Sequence, residues 1–252
     1  MTKRLTDGWR ACGLEAGDTA LVHSSVKRTL VEHGVTPADV LQSLLDAVGP
    51  QGTILFPLFN FEFTKGVPFD HRTTPSHMGA LTEAGRLHRA ATRSGHPIYS
   101  FAVIGKCAAE FDVNNESGYG PDSPFAILRT LDGKIAILDL PDQHSMTFYH
   151  HVEEMHQVDY RYFKSFTGNY TDRDGITSER TYRLYVRDLE RGVRTDVNPM
   201  GELLWEQGLY HGERQHQGVG MRTIRARQLY DAVSEVITSG KAEGLLFSIR
   251  KD

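Results

Sequence analysis

Two buried strands and the helix between them place the tightest constraint on the fold of this chain. Thr19 to Val26 is an apolar run that ends in small polar residues, and Ile54 to Phe59 is a second apolar run. Between them, Thr36-Pro37 marks a helix start and Gly49-Pro50 marks its end, with apolar residues at helical spacing in between. Strand, helix and strand in this order are the repeating unit of a largely parallel sheet, so the segment predicts an α/β fold.

The remaining patterns extend this unit to a single α/β domain over residues 1–252. Further strands are predicted at Ser100–Gly105, Lys134–Leu140 and Gly244–Ile249, and helices at 3–14, Ser76–Ala91, Phe148–Met155 and Ile224–Ile237. Alternating residues from Tyr160 to Val197 predict an antiparallel hairpin or meander, and the polar stretch 60–75 predicts a long loop. We expect a mixed, partly parallel sheet flanked by helices, with an antiparallel excursion.

Composition argues against several classes of protein. The 252 residues carry a formal net charge of −4 and no run of Lys or Arg, so a nucleic-acid-binding surface is not expected. No apolar run approaches the roughly 20 residues that span a bilayer. The two cysteines, Cys12 and Cys107, are too few for a disulfide framework, and the N-terminal segment lacks the apolar stretch of a signal peptide. We therefore expect a cytoplasmic protein without nucleic-acid or membrane partners.

The first candidate for chemistry is the end of the first strand, His23-Ser24-Ser25. In open α/β sheets, ligands bind beyond the carboxyl ends of the strands. Small hydroxyl residues there leave backbone N–H groups free to meet a phosphate, and Lys27 and Arg28 follow with positive charge. The alternative is a strand end capped by serines. Neither a GxGxxG nor a Walker A loop is present.

A second candidate, the stretch from Arg93 to Ser100, leads into a later strand. Its Ser-Gly-His-Pro sequence is typical of a turn and suits a connection from a helix to a strand. We expect this connection to lie at the edge of the sheet opposite to the strand carboxyl ends, where it would not line the ligand crevice directly. Ser100 alone is expected to remain within reach of the crevice.

The third candidate is the stretch that runs from Thr147 to Glu154. On a helix, His150 and Glu153 are three residues apart and lie on one face. A carboxylate beside an imidazole fixes its tautomer, raises its pKa and makes it a better base, which suits an amine that must lose a proton before it attacks. Thr147 lies one turn earlier and places a hydroxyl near the same point. The alternative is an amphipathic helix that carries His and Glu on its surface.

Two other chemistries fit the sequence less well. Six side chains that are able to bind a metal form the densest group of this kind in the sequence: His144, His150, His151, Glu153, Glu154 and His156. Their spacing matches neither HExxH nor HxxEH, so a zinc site would need ligands from elsewhere in the chain. A serine hydrolase is disfavoured because no G-x-S-x-G segment occurs.

Five segments, taken together, resemble one known family. In chain order they are VHSSV at 22–26, TPSHMGALTE at 74–83, RSGHPIYSFAVIG at 93–105, SPFAIL at 123–128 and TFYHHVEE at 147–154. Their order and spacing are similar to those of the aminoglycoside 3-N-acetyltransferase family, part of a wider group called antibiotic N-acetyltransferases. The likeness runs from about Leu14 to the C-terminus and is strongest from Val22 to Glu154.

The resemblance implies a mixed α/β fold distinct from the GNAT acetyltransferases, and transfer of an acetyl group from acetyl-CoA to an amine without a metal. It makes His150, rather than His151, the general base, oriented by Glu153 and assisted by Thr147. It also implies that acetyl-CoA is bound by the segment His23, Ser24, Ser25, Val26 and Lys27, with Ser100 and Ser123 as further candidates. The loop from Asn60 to Asp70 is implied to contact the acceptor, so Asn60 and Asp70 are assigned to substrate binding.

One departure from the family concerns the acceptor. Many relatives carry a glycine after the strand that precedes the Thr-x-x-His motif, whereas here Asp139-Leu-Pro-Asp142 stands in that stretch, on the acceptor side of the implied site. The acceptor is therefore left open between the 3-amino group of an aminoglycoside and the amine of an amino sugar or a nucleotide. The competing functions are a zinc-dependent hydrolase and a catalytically silent CoA-binding protein. The oligomeric state is open, a homodimer included.

Overall fold

The computed structural model describes residues 2–250. The described residues form eight α-helices: α1 Thr2–Ala11, α2 Lys27–His33, α3 Pro37–Val48, α4 Ala80–Arg86, α5 Pro124–Thr130, α6 Phe148–Met155, α7 Asn198–Glu206 and α8 Ala226–Thr238. Their strands are β1 Thr19–Ser24, β2 Thr53–Pro57, β3 Phe69–Asp70, β4 Thr92–Arg93, β5 Phe101–Gly105, β6 Lys134–Leu138, β7 Arg161–Thr171, β8 Thr177–Arg187, β9 Val193–Thr195, β10 His211–Gly212, β11 Met221–Arg225 and β12 Phe247–Ile249. In this part of the chain, every helix is too short or too polar to cross a bilayer.

The central sheet has seven strands in the order β10-β11-β6-β1-β2-β5-β4. Its centre is parallel, because β1 pairs in parallel with both β2 and β6. The strands outside this centre, β5 and β11, run antiparallel to their inner neighbours. The predicted mixed, partly parallel sheet is therefore confirmed, and its parallel centre contains the strand–helix–strand unit found in the sequence.

Successive residues of the central strands point into two separate apolar cores. In β1, Leu21 belongs to one core, while Ala20 and Val22 belong to the other. Helices α5, α6 and α8 contribute to the first core, and α1 and α3 to the second. Because a strand alternates its side chains, a continuous apolar run such as that of β1 indicates burial on both faces, as observed.

Helix α3 shows how closely the local sequence sets an element. The hydroxyl of Thr36 accepts a hydrogen bond from the Asp39 backbone N–H at 3.2 Å, and the Asp39 carboxylate accepts one from the Thr36 backbone N–H at 2.8 Å. This reciprocal cap and Pro37 at the first helical position fix the start. The predicted boundaries are confirmed.

The predicted antiparallel excursion is a hairpin of two 11-residue strands, β7 and β8. Arg161 pairs with Arg187 at its open end, and Thr171 pairs with Thr177 beside the turn. The short strand β3 adds to β7 in parallel, and β9 pairs with β12 as a separate two-stranded sheet. Arg161 at the start of the hairpin contacts Glu153 of helix α6, and the hairpin, as described below, forms one wall of a cavity.

Several predicted boundaries were wrong. The helix predicted over Ser76–Ala91 is only α4, because the Ser76 hydroxyl and the Glu83 carboxylate accept the backbone N–H groups of Met78 and Ser76 in place of helical carbonyls. The helix predicted over 3–14 ends at Ala11, two residues before Gly13 adopts a positive φ of 91°. Three helices, α2, α5 and α7, and four strands, β3, β4, β10 and β11, were missed. All of them are short, so their periodic signal is weak.

Candidate active site

The site lies at the edge of the central sheet where β1 and β6 end. Because β5 runs antiparallel to β2, the segment that leads into β5 reaches this same edge. The expectation that the connection before Ser100 lies at the opposite edge is therefore wrong, since it assumed a parallel strand. The consequence is that Tyr99 lines the same cavity as His150.

His150 and Glu153 form the centre of the site. Both lie on α6, and His150 Nδ1 is 2.7 Å from Glu153 Oε2. Arg161, at the start of β7, places Nε 2.7 Å from the same oxygen as an ion pair, although its N–H is not aimed along that line. Its Nη1 donates to the Tyr185 carbonyl at 3.1 Å. With the carboxylate ionised, His150 donates from Nδ1, which leaves Nε2 as the basic nitrogen.

Three influences set the protonation of His150. Burial lowers its pKa most, the positive charge of Arg161 lowers the pKa further, and Glu153 opposes both, so that the pKa lies below the ordinary histidine value. The sequence predicted that Glu153 raises the pKa of His150. This holds for the contribution of Glu153 alone, but the sum of the three influences lowers that pKa. Burial acts to raise the pKa of Glu153, but Arg161 and His150 outweigh burial and hold that pKa below its ordinary value. At neutral pH the pair is a neutral imidazole beside a carboxylate, the state that a general base requires.

His150 faces a cavity of about 530 Å³. Its side chain is 19% exposed, and Nε2 makes no hydrogen bond to the described residues. The Tyr119 ring packs edge-on against the imidazole, with ring centroids 5.2 Å apart. Phe61 and Tyr99 and the β7–β8 hairpin contribute the other walls. The basic nitrogen therefore has access to a space of the size that holds a small-molecule ligand.

The neighbouring histidine and glutamate have different surroundings. His151 is fully buried, and its Nδ1 lies 2.7 Å from the Tyr119 carbonyl oxygen. Burial lowers its pKa to about 4. Glu154 is also buried and accepts a hydrogen bond from the Ser117 hydroxyl at 2.7 Å. Neither residue lines the cavity, so of the two adjacent histidines only His150 is placed to meet a ligand there.

Thr147 immediately precedes α6, and its carbonyl accepts the His150 backbone N–H at 3.0 Å. Its side chain is half-buried and makes no hydrogen bond to the described residues. The residue is not among those that line the cavity. Its assignment to catalysis stays a prediction.

The predicted cofactor segment lies at the end of β1. His23 is buried, its Nε2 has no partner among the described residues, and burial lowers its pKa to about 4. Val26 is also buried, whereas Ser24 and Ser25 are half-buried and Lys27 is exposed. The two serines and the lysine therefore present polar groups at the sheet edge, as a phosphate site requires, and their role stays a prediction.

A continuous series of aromatic contacts connects this segment with the general-base candidate. It runs from His23 through Phe59, Tyr99 and Tyr119 to His150, with successive ring-centroid distances of 6.2, 4.5, 4.8 and 5.2 Å. The two sequence motifs, more than 120 positions apart, thus lie on the two sides of one aromatic wall.

The two further cofactor candidates have structural partners. Ser100 is fully buried, and its hydroxyl accepts two hydrogen bonds from Arg93, at 3.1 and 3.2 Å. Ser123 is also fully buried, caps helix α5 by accepting from the Ala126 N–H, and donates to the Gly120 carbonyl at 2.7 Å. These bonds account for both serines without a ligand, and their cofactor role stays a prediction.

The two residues assigned to the acceptor line a neighbouring cavity and not the one at His150. Asn60 and Asp70 border a space of about 390 Å³. The Asn60 amide donates to the Pro75 carbonyl at 3.0 Å, and Asp70 forms an ion pair with Arg72. The structure therefore does not bring Asn60 and Asp70 together with His150, although Phe61 of the same loop does reach it.

The divergent segment after β6 is occupied by buried ion pairs. Asp139 accepts hydrogen bonds from Arg28, the closer of them at 2.7 Å, and Asp142 accepts one from Arg222, also at 2.7 Å. Neither aspartate lines the cavity at His150. Arg28 is thus committed to Asp139, so Lys27 is the more accessible of the two cations that follow the first strand.

Sequence reasoning missed the residues that give the site its charge. Arg161 and Arg187 pair across the open end of the hairpin, and Lys164 follows in β7. No local pattern marks them, because they come close to His150 only through the tertiary placement of the hairpin.

The alternative of a metal centre lacks a set of ligands in residues 2–250. No group of three or more His, Cys, Asp or Glu side chains in this part of the chain is arranged to hold a metal ion.

Comparisons with known proteins agree on one family. Residues 21–238 match the model of the family described as aminoglycoside 3-N-acetyltransferase. An aminoglycoside N(3)-acetyltransferase III from Pseudomonas aeruginosa is 30% identical over 169 residues, which cover 59% of this chain and 62% of that protein. An aminoglycoside N(3)-acetyltransferase VII from Streptomyces paromomycinus is 31% identical over 173 residues, which cover 60% of this chain and 59% of that protein. The chain thus spans about three fifths of the length of these curated relatives.

A solved structure extends the likeness to nearly the whole chain. The crystal structure of the aminoglycoside acetyltransferase AAC(3)-Xa has a TM-score of 0.79 and 26% sequence identity. The match covers 96% of this chain and 92% of that one.

Proposed function

The chain belongs to the aminoglycoside 3-N-acetyltransferase family, and from that premise we propose that it transfers an acetyl group from acetyl-CoA to an amine of a small-molecule acceptor. The family description makes the 3-amino group of an aminoglycoside the reference acceptor. The amine of an amino sugar or of a nucleotide is the alternative.

One observation carries the proposal. His150 has Nδ1 bound to a buried carboxylate and Nε2 directed to an open cavity, and its pKa is held below the ordinary value. A base of this kind accepts a proton at neutral pH without first having to lose one. General-base catalysis contributes about 10²- to 10⁴-fold to a rate.

The chemistry that follows is a direct acyl transfer. The acceptor nitrogen, as the free amine, attacks the thioester carbonyl carbon, and a C–N bond forms while His150 Nε2 takes a proton from the nitrogen. The carbon–sulfur bond then breaks and CoA leaves as the thiolate, which regains a proton. Glu153 stabilises the imidazolium that forms in between. For the oxyanion, the Thr147 hydroxyl is the proposed donor.

The donor is proposed to approach from the β1 side of the aromatic wall. Ser24, Ser25 and Lys27 would hold its phosphates, since their polar groups are accessible at the sheet edge. The cavity beyond Tyr119 is then left for the acceptor. This division assigns one side of His150 to each substrate.

Thiol release from acetyl-CoA tests the proposal. The purified protein is mixed with acetyl-CoA and each of a panel of amines, and free CoA is measured with a thiol reagent. We expect amine-dependent release that a metal chelator leaves unchanged. Binding of CoA without release for any amine would instead support a silent CoA-binding protein, and loss of activity with a chelator would support a metal-dependent hydrolase.

A further inference from the structure

The cavity at His150 is lined by positive charge. Three cationic side chains face it, Arg161, Lys164 and Arg187, and none of the described residues around it is Asp or Glu. Arg161 is neutralised by Glu153 behind it. Lys164 and Arg187 have no carboxylate partner within ion-pair distance in the described part of the chain. Two uncompensated cations therefore border the space beside the general base.

The positive surface continues outward from this cavity. A neighbouring groove of about 690 Å³ shares Arg187, Leu189 and Thr195 with it. Arg191, Arg194 and Arg250 line that groove together with one carboxylate, Glu190. Of the three arginines, Arg191 is already paired with Asp159 at 3.3 Å, which leaves Arg194 and Arg250. A lining of one sign concentrates ligands of the opposite sign and repels those of its own.

The arrangement at the base of the hairpin also lacks a counter-charge. Arg161 and Arg187 are direct cross-strand partners, and like charges in that position are destabilising. Glu153 compensates only the buried member of the pair. A bound anion near Arg187 would remove the repulsion, and phosphate or carboxylate oxygens match the guanidinium hydrogen-bonding geometry.

We infer that the acceptor is an amine whose molecule also carries an anionic group, a phosphate or a carboxylate, held by Lys164 and Arg187 while the amine meets His150. The inference rests on the proposed function and specifies its substrate class. A polycationic aminoglycoside would bring its ammonium groups against Arg187 and Lys164 with no facing carboxylate. Exposed apolar residues at the mouth, Phe61 at 40% and Tyr162 at 46%, would cover the uncharged part of such an acceptor.

CoA also carries phosphate groups, which Lys164 and Arg187 would attract in the same way. The two ligands are distinguished by which binding constant changes when these side chains are replaced. If they hold the acceptor, their removal weakens acceptor binding alone, whereas if they hold CoA, it weakens CoA binding. The experiment therefore measures both.

Matched acceptors test the charge preference. Glucosamine and glucosamine 6-phosphate present the same amine and differ in one phosphate, and kanamycin supplies the polycationic case. We expect kcat/KM for glucosamine 6-phosphate to exceed that for each of the others by at least about tenfold, the scale of one charge-assisted contact. A higher kcat/KM for kanamycin overturns the inference and leaves the proposed function standing. Absence of acetylation of any amine by protein that binds acetyl-CoA overturns the proposed function as well.

Variants of Lys164 and Arg187 test whether these two side chains cause the preference for an anionic acceptor. Lys164→Gln and Arg187→Gln, singly and together, are compared with Lys106→Gln, an exposed lysine at the opposite edge of the sheet that bonds to Gln51. Calorimetric binding of glucosamine 6-phosphate to the CoA-saturated protein should weaken at least about tenfold in the double variant, and the Kd for CoA should not change. A rise in the Kd for CoA with unchanged binding of glucosamine 6-phosphate would mean that these cations hold CoA, and the inference would be wrong.

Discussion

Three influences that act in different directions set the protonation of His150. Its own burial and the charge of Arg161 lower its pKa, and the Glu153 carboxylate opposes them. The same carboxylate fixes the tautomer, so that the nitrogen toward the cavity is the unprotonated one. A single carboxylate thus has two separable effects, one on orientation and one on protonation.

The Glu153→Gln variant separates these effects. Because the carboxylate opposes the lowering of the His150 pKa, its removal should move the acid limb of the kcat/KM profile to lower pH. The maximum rate should fall at least about tenfold, since the imidazole loses the partner that orients it. The profile is measured from pH 5 to 9 beside Glu206→Gln, an exposed control. A limb that moves to higher pH would contradict the account.

Contacts of the segment before helix α6 fix the position of that helix. Asp142 accepts hydrogen bonds from the hydroxyl groups of Tyr149 and Tyr210, at 3.1 and 2.6 Å, and from Arg222 at 2.7 Å. All four side chains are buried. The aspartate therefore connects the end of β6 and the first turn of α6 to β11, and so places the helix that carries His150.

Loss of that carboxylate should destabilise the whole fold. In Asp142→Ala, Arg222 is left as a buried, unpaired cation, which costs about 3–5 kcal/mol in the free energy of unfolding. Urea unfolding followed by circular dichroism measures the change. Tyr210→Phe removes one neutral donor of the same network and should cost only about 1 kcal/mol. Equal effects of the two variants would contradict the assigned role of the ion pair.

The cap of α3 offers a contrasting case, in which stability changes and activity does not. Thr36→Ala removes the hydroxyl that accepts the Asp39 N–H, at a typical cost of about 1 kcal/mol. Because α3 packs on the face of the sheet with α1 and away from α6, kcat should not change. Urea unfolding and thiol release on the same sample check both parts, and a large fall in kcat would show coupling that the structure does not explain.

Across the whole molecule, the sequence predicts elements better than their directions. The runs of β1 and β2, helix α3 and the β7–β8 hairpin follow local patterns, and each was predicted. The antiparallel direction of β5 has no local signal, because it depends on which neighbour the strand joins, and so Tyr99 was expected at the wrong edge. The cationic cavity was missed for the same reason, since Arg187 joins His150 only after the hairpin folds back.

Buried histidines should make the stability of the protein depend on acid. Burial lowers the pKa of His96 to about 3 and those of His23 and His151 to about 4. The unfolded chain binds these protons below about pH 6.5, while the folded chain does not until the pH falls to these lower values. Stability is therefore fully present above about pH 6.5 and declines as the pH falls from there toward about 4, by about 1.4 kcal/mol per pH unit for each histidine.

Urea unfolding at pH 7, 6 and 5 measures this slope. His96→Asn keeps an acceptor for the backbone N–H groups of Ile98 and Tyr99, and should reduce the slope by about 1.4 kcal/mol per pH unit. His144→Gln, at an exposed position, should leave it unchanged. A pH-independent free energy of unfolding in the wild type would show that these histidines are not buried as described.

The central claim is that His150 Nε2 removes the proton from the attacking amine. The most direct test is the rate of acetyl transfer by His150→Gln, which keeps the size and polarity of the side chain and removes the base. The account predicts that kcat falls at least about 100-fold while the Kd for CoA and the free energy of unfolding stay near the wild-type values. A variant that retains most of its kcat at neutral pH would contradict it.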